Sequence, residues 1–269
     1  RLHPFSLAEY FEKRNIVKPM EDIAIDQMPA DASGAFAALL KFGGFPEPFL
    51  KQSEKDWRRW RLQRLERLIK EDIRDLENVR DLSAMQILVD MLPSKVGSLL
   101  SLNSLREDIQ VAHKTIANWM DILERFYYHF RIYPYAHNNI KSLKKEPKLY
   151  LWDWSEVTGN DGAKLENIVA SHLLKLCHFL QDVDGYKMDL HFLRDIDGRE
   201  VDFLVTNDAR PWFAVEVKSS VKDISKTLPY FGAKLEIPFL YQLVDERDVD
   251  IRKDKVRILS AEKFLQAIV

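Results

Sequence analysis

The sequence predicts a mixed α/β chain whose first part is helical and whose last part follows the order α-β-β-β-α-β-β. Three observations lead there. An arginine-dense amphipathic stretch at 57–76 opens a series of helix patterns that runs to 130, and one long apolar helix pattern covers 164–180. After it come short apolar runs separated by turn residues, which read as strands.

In chain order, 57–76 (WRRWRLQRLERLIKEDIRDL) predicts an amphipathic helix and 81–93 a second, ending near Pro93 and Gly97. A third and a fourth are expected over 101–109 and 113–130, with Gln110 to His113 as the short connection. Strand-like Arg131–Tyr135 and Leu149–Trp152 flank a polar loop carrying Lys141, Lys144, Lys145 and Lys148. A seam is expected near 153–163, where Gly159 and Gly162 punctuate a polar stretch. Beyond it, 164–180 places Leu165, Ile168, Val169, Leu173, Leu176 and Leu180 on one stripe with Glu166 beside it. Strands follow at 186–193, 200–206 and 211–219, a helix at 221–235, strands at 237–244 and 255–259, and a short helix at 261–268. The expected organisation is 1–50 as an entry segment and linker, 51–155 as a helical domain, and 156–269 as the α/β domain.

Composition narrows the classes. At 46% hydrophobic residues the chain can build two packed domains of ordinary size. Cys177 is the single cysteine, so no internal disulfide can form, which suits a reducing cytoplasm. With no apolar stretch of about 18 residues and no signal-peptide pattern, a membrane partner is not expected. Net charge is −2, unevenly spread: 51–150 carries 19 basic and 14 acidic residues, and 151–269 carries 16 and 21. A basic region beside a carboxylate-rich one suits docking of a phosphate backbone near a cation site.

The candidate chemistry lies in Val215-Glu216-Val217-Lys218 and Val201-Asp202-Phe203. Side chains alternate along a strand, so Glu216 and Lys218 share one face while Val215 and Val217 take the other. Charges in core-like strands cost on the order of several kcal/mol unless paired or ion-bound. Asp202 and Glu216 are therefore candidate ligands for Mg²⁺ or Mn²⁺, and Lys218 a candidate for positioning a water. The competing interpretation is an ordinary ion pair between Lys218 and Glu216 or Asp202.

The order of elements resembles the restriction-endonuclease-like fold, whose PD-(D/E)XK site takes Asp from the second strand and Glu-x-Lys from the third. The resemblance implies catalytic roles for Asp202, Glu216 and Lys218, with Glu166 as the acidic residue of the first helix. No proline precedes Asp202, which follows Glu200-Val201, so the motif departs from the family pattern there. Upstream, two helices joined by a short turn and followed by a hairpin read as a winged helix. His113, Lys114, Thr115 and Asn118 would face a DNA groove, with Lys144 and Lys145 on the wing. Protein contact and a merely solvated lysine loop are the alternatives.

The remaining motifs extend the resemblance over essentially the whole chain. Arg1 to Tyr10 (RLHPFSLAEY), Gly43-Gly44-Phe45-Pro46 and Pro147–Asp153 (PKLYLWD) resemble the C-terminal region of prokaryotic AAA-type ATPases carrying domain of unknown function 4143. That resemblance implies the protein's own ATPase module as a partner, DNA as a ligand, and room for oligomers. The sequence holds no G-x-x-x-x-G-K-[ST] loop, so no ATP site of that kind is expected in it, and its start on Arg1 suggests a fragment. His172 and His178 are six apart, not the i, i+4 pair a zinc helix needs, and Cys177 has no base at a recognisable spacing. The aromatic residues of 119–135 and 150–154 read as core and hairpin packing. Two hypotheses remain: a metal-dependent nuclease, or a nuclease fold kept as a nucleic-acid or protein docking scaffold.

Overall fold

In the computed structural model every residue is described except 14, 28, 30, 74–78, 80 and 137–144. Ser6 and Glu9 form a capping box that starts α1 (Leu7–Tyr10). Two helices without an expected counterpart follow, α2 (Ala32–Phe42) and α3 (Pro46–Lys51). They meet at the Gly-Gly-Phe-Pro turn. Gly43 has a φ of 80°, and a Cβ on Gly43 or Gly44 would come within 2.4 Å of the Asp153 carboxylate or the Trp154 ring. Glycine is needed there because a side chain would collide with Asp153 and Trp154, and at Gly43 also because of the positive φ.

α4 (Glu54–Arg67) begins three residues before the expected start, because Ser53 accepts a hydrogen bond from Asp56 N and caps it. A π-helical turn continues it through Leu68–Ile73. α5 (Leu82–Met91) is capped by Asp81 and runs into a 3₁₀ turn containing Pro93. α6 (Leu102–Ile109) and α7 (His113–Arg125) follow. α7 is shorter than expected because Tyr127, at a φ of 56°, turns the chain into β1 (His129–Pro134). β2 is Lys148–Leu151.

The long helix is α8 (Asp161–Asp184), capped by Asn160 and ended by Gly185 in the left-handed region. β3 (Met188–Arg194), β4 (Glu200–Asn207) and β5 (Arg210–Lys218) are the expected strands. α9 (Thr227–Lys234) is shorter than expected, since Ser225 lies outside it and its hydroxyl accepts from Leu228 N. β6 (Phe239–Val244) and a hairpin of β7 (Asp250–Lys253) and β8 (Val256–Ser260) precede α10 (Ala261–Ile268). β7 has no expected counterpart because all four of its residues are exposed, which removes the apolar signal.

Among the described residues eight strands form one sheet in the order β2-β1-β3-β4-β5-β6-β8-β7. The β1–β2 hairpin is therefore not a free wing. β1 pairs in parallel with β3, Tyr133 opposite His191 and Pro134 opposite Phe192, so strands from both sides of the expected seam share the sheet. Packing explains this: Phe130 stacks on Tyr150, and Tyr150 packs on Phe203 of β4, apolar surface that a free wing would leave in water. One face of the sheet, with Phe203, Val205, Phe213, Val215 and Leu243, shares a core with α8 and α10. The other, with Leu204, Ala214, Leu240 and Ile258, packs on Leu228 and Phe231 of α9.

The N-terminal residues are strapped to this layer structure. Leu7 N donates to His172 Nε2 at 3.3 Å, Trp212 Nε1 donates to Glu21 O at 2.8 Å, and the Tyr241 hydroxyl donates to Asp22. Among the described residues no helix is long and apolar enough to cross a membrane.

Candidate functional site

Glu200 and Asp202 alternate with the fully buried Val201 and Phe203 along β4, which puts both carboxylates on the same side of their strand. Asp202 Oδ2 accepts from Val217 N at 2.9 Å, and Asp202 N approaches Glu216 Oε2 at 3.4 Å. On β5 the alternation works as the sequence suggests: Lys218 Nζ lies 2.9 Å from Glu216 Oε1 while Val215 and Val217 pack in the core. Glu166 comes in from α8. Its neighbour Asn167 fixes that helix to β2, accepting from Leu151 N at 2.8 Å and donating to Leu151 O at 2.7 Å.

The structure thus brings Glu166, Asp202, Glu216 and Lys218 into one neighbourhood and adds three residues that sequence reasoning missed. Lys148 is at its centre, with a side chain only 2% exposed. Its ammonium reaches Glu200 Oε1 at 2.7 Å, Asp202 Oδ1 at 3.2 Å and Glu166 Oε1 at 3.3 Å. The Tyr150 hydroxyl donates to the same Glu166 oxygen at 2.7 Å, and Glu200 also takes Arg194 at 2.7 Å. The missed signal is the period-2 spacing of Lys148 and Tyr150 and of Glu200 and Asp202, the same logic that singles out Glu216 and Lys218. Lys148 was hidden because it reads as the last lysine of a polar loop.

The electrostatics follow from this packing. Burial, followed by the charge of Asp202, pushes the Glu166 carboxyl up to about 7, with Lys148 and Tyr150 pulling the other way. The same two causes push Glu216 up to about 7 against the pull of Lys218. Burial disfavours the Lys148 ammonium, but Glu166, Asp202 and Glu200 together outweigh it and hold the amine above its ordinary range. The cluster has four carboxylates against two lysines and the Arg194 guanidinium. It carries more acid than base.

A divalent ion here would have to share its position with an ammonium. Lys148 has three donors and reaches three carboxylates with them, while Glu216 turns to Lys218. Among the described residues no group of three or more His, Cys, Asp or Glu is disposed to hold a metal. As arranged, Asp202 and Glu216 do not fit the Mg²⁺ or Mn²⁺ that the restriction-endonuclease-like resemblance implies.

The residues proposed to meet nucleic acid lie elsewhere. His113, Lys114 and Asn118 are exposed and Thr115 is half-buried at the start of α7; Lys145 is exposed, and Lys144 lies outside the described residues. His113 and Lys145 line a cleft of about 340 Å³ with Arg131, Tyr133 and Glu146. Arg131 is paired with Asp121 at 2.8 Å and with Glu124, so its charge is balanced internally. The arginine-dense α4 also turns one cation inward: Arg64 donates to Glu156 at 3.1 Å and lies over the Phe45 ring of the Gly-Gly-Phe-Pro turn at 4.7 Å. His172 is a satisfied core residue, donating from Nδ1 to Ile168 O at 2.8 Å.

Two families match parts of the chain. One described as Domain of unknown function (DUF8612) covers residues 34–157, and one described as Domain of unknown function (DUF4143) covers 161–264. The chain therefore carries a DUF4143 domain, of a kind in general found with AAA-type ATPases. No curated protein and no solved structure matches the chain.

Proposed function

We propose that this chain is the docking part of a AAA-type ATPase, built on a nuclease-like scaffold whose acidic site is closed by its own lysine, and that its ligand is DNA. The observation that carries the reading is the Lys148 ammonium seated among Glu166, Glu200 and Asp202. An internal cation neutralises the buried carboxylates without an external ion, so the cluster stabilises the scaffold rather than polarising a phosphate. DNA contact is assigned to His113, Lys114, Thr115 and Asn118 at the N-terminal end of α7, with Lys145 on the same cleft; Lys144, also assigned, lies outside the described residues. This part of the reading rests on the exposure of the α7 residues and Lys145, and on the basic bias of residues 51–150.

A second reading is favoured by one observation, the Glu166 and Glu216 carboxyls both raised to about 7, which marks a site with surplus acid. In that reading the scaffold is a Mg²⁺- or Mn²⁺-dependent phosphodiesterase using Asp202, Glu216 and Lys218 with Glu166, which requires Lys148 and Lys218 to release the carboxylates they hold in this arrangement. One experiment separates the two. The chain is incubated with supercoiled and duplex DNA in millimolar Mn²⁺, and binding is followed against salt. The docking reading expects salt-dependent binding, weakened by Lys114→Ala, with no nicking; nicking that disappears in Asp202→Ala establishes the phosphodiesterase. Neither binding nor nicking would leave the DNA assignment without support and point to a protein partner.

A further inference from the structure

We propose that the outer face of α4 is a contact surface for the phosphate backbone of duplex DNA, engaged through charge and not through bases. The inference rests on the DNA part of the reading above and adds an element that the α7 assignment leaves out. Lys55, Arg58, Arg59, Arg67 and Lys70 are all exposed on α4 and on the π-helical turn after it, and Glu66 is the single exposed acid between Lys55 and Lys70. Lys55, Arg59, Leu62, Glu66 and Lys70 recur at three- and four-residue spacing, which places them on one side of the helix.

The docking of α4 turns that side outward. No residue of α4 is buried. Trp57 Nε1 donates to Ser155 Oγ at 2.9 Å, the Trp60 ring packs on Phe45 at 5.1 Å, and Arg64 donates to Glu156 at 3.1 Å. These three residues follow the spacing i, i+3, i+7 on the side away from Lys55, Arg59 and Lys70, so the aromatic rings and one arginine hold the helix in place. The other cations face solvent. Arg58 pairs with Glu54 at 3.4 Å and Lys70 with Glu66 at 2.9 Å, whereas among the described residues no ion pair holds Lys55, Arg59 or Arg67.

The chemistry of the face selects the partner. Protein interfaces have an apolar or aromatic centre depleted of charge, and a helix lying on a membrane presents an apolar face to the lipid. Leu62 is the one exposed apolar side chain from 55 to 70, so the face offers neither. A phosphate backbone is met by guanidinium and ammonium groups spread along a line. The stretch from Lys55 to Lys70 rises about 24 Å at ~1.5 Å per residue, the length of roughly seven base-pair steps of ~3.4 Å.

The test is fluorescence anisotropy with two duplexes of unrelated sequence, titrated between about 50 and 200 mM salt with the full chain as wild type, Arg59→Gln with Arg67→Gln, and Arg59→Lys with Arg67→Lys. Each lost phosphate contact removes about 0.9 from the slope of log affinity against log salt. The glutamine variant is therefore expected to flatten the slope by about 1.8 and to weaken both duplexes alike, by about tenfold or more at ~0.1 M salt, while the lysine variant keeps the wild-type slope. If wild type binds DNA and the glutamine variant equals it in slope and affinity, the α4 proposal is overturned and the α7 assignment, probed by Lys114→Ala, stands. A lysine variant flattened as much as the glutamine one also overturns it, because the arginines then act through shape instead of charge. If wild type binds neither duplex, the DNA reading fails and this proposal with it; binding of a poly-glutamate peptide instead, lost in the glutamine variant, assigns the face to an acidic protein.

Discussion

Glu166 shows how one side chain records its surroundings. Its carboxyl, raised from 4.5 to about 7 by burial and by Asp202, binds a proton more tightly in the folded chain than in the unfolded one. Its contribution to stability is therefore full below about pH 4.5 and is lost as pH rises through 7, with a slope of up to about 1.4 kcal/mol per pH unit for one proton. Glu216, also raised to about 7, acts in the same sense. Buried His172, lowered to about 4, acts oppositely: its contribution is present above 6.5 and lost as pH falls through 4. Comparison with a variant isolates the glutamate. Glu166→Gln is expected to flatten the fall in stability between pH 5 and 8 relative to wild type, in urea unfolding followed at several pH values. An unchanged slope would show that Glu166 is not the group that titrates.

At the scale of elements, α8 and β2 are joined by Asn167, whose amide serves both the N–H and the C=O of Leu151. All of these groups are buried, and leaving a buried donor and acceptor unpaired costs about 1–3 kcal/mol each. Asn167→Ala is thus expected to lower unfolding free energy by about 2–5 kcal/mol. It should also loosen Glu166 and Tyr150 together, detectable as faster amide exchange at Leu151. A loss below half a kcal/mol would mean that the α8–β2 contact is carried by packing alone. Much of this arrangement is legible in the chain: the apolar stripe of α8 and the alternation in β4 and β5 give the elements that carry Glu166, Asp202, Glu216 and Lys218. β7 is not legible, since its residues are all exposed. The partner of β1 is not legible either, because strand pairing between segments far apart leaves no local period.

For the whole molecule, the acidic cluster depends on chain from both sides of residue 156. Lys148 and Tyr150 come from β2, while residues 5–7 and 21–23 strap onto Gly44, His172, Trp212 and Tyr241. A chain of residues 156–269 would lose the ammonium that faces Glu166, Glu200 and Asp202 and would bare the β3 edge. Such a fragment is expected to lack a cooperative thermal transition at pH 8 and to gain structure as pH falls toward 5, where its carboxyls take up protons. A sharp calorimetric transition at pH 8 with no pH response would contradict that dependence.

What the amino-acid order determined by itself is the mixed α/β class, the succession of elements after residue 160 apart from β7, and the shared side of Glu216 and Lys218. All three follow from local periodicity, the 3.6-residue turn of a helix and the two-residue pleat of a strand. Only the tertiary structure decided that the β1–β2 hairpin closes the edge of the sheet and that Lys148 enters the acidic cluster. The physical reason is that a buried charge selects its partner by position in space, and the partners of Lys148 are 18, 52 and 54 residues away along the chain at Glu166, Glu200 and Asp202.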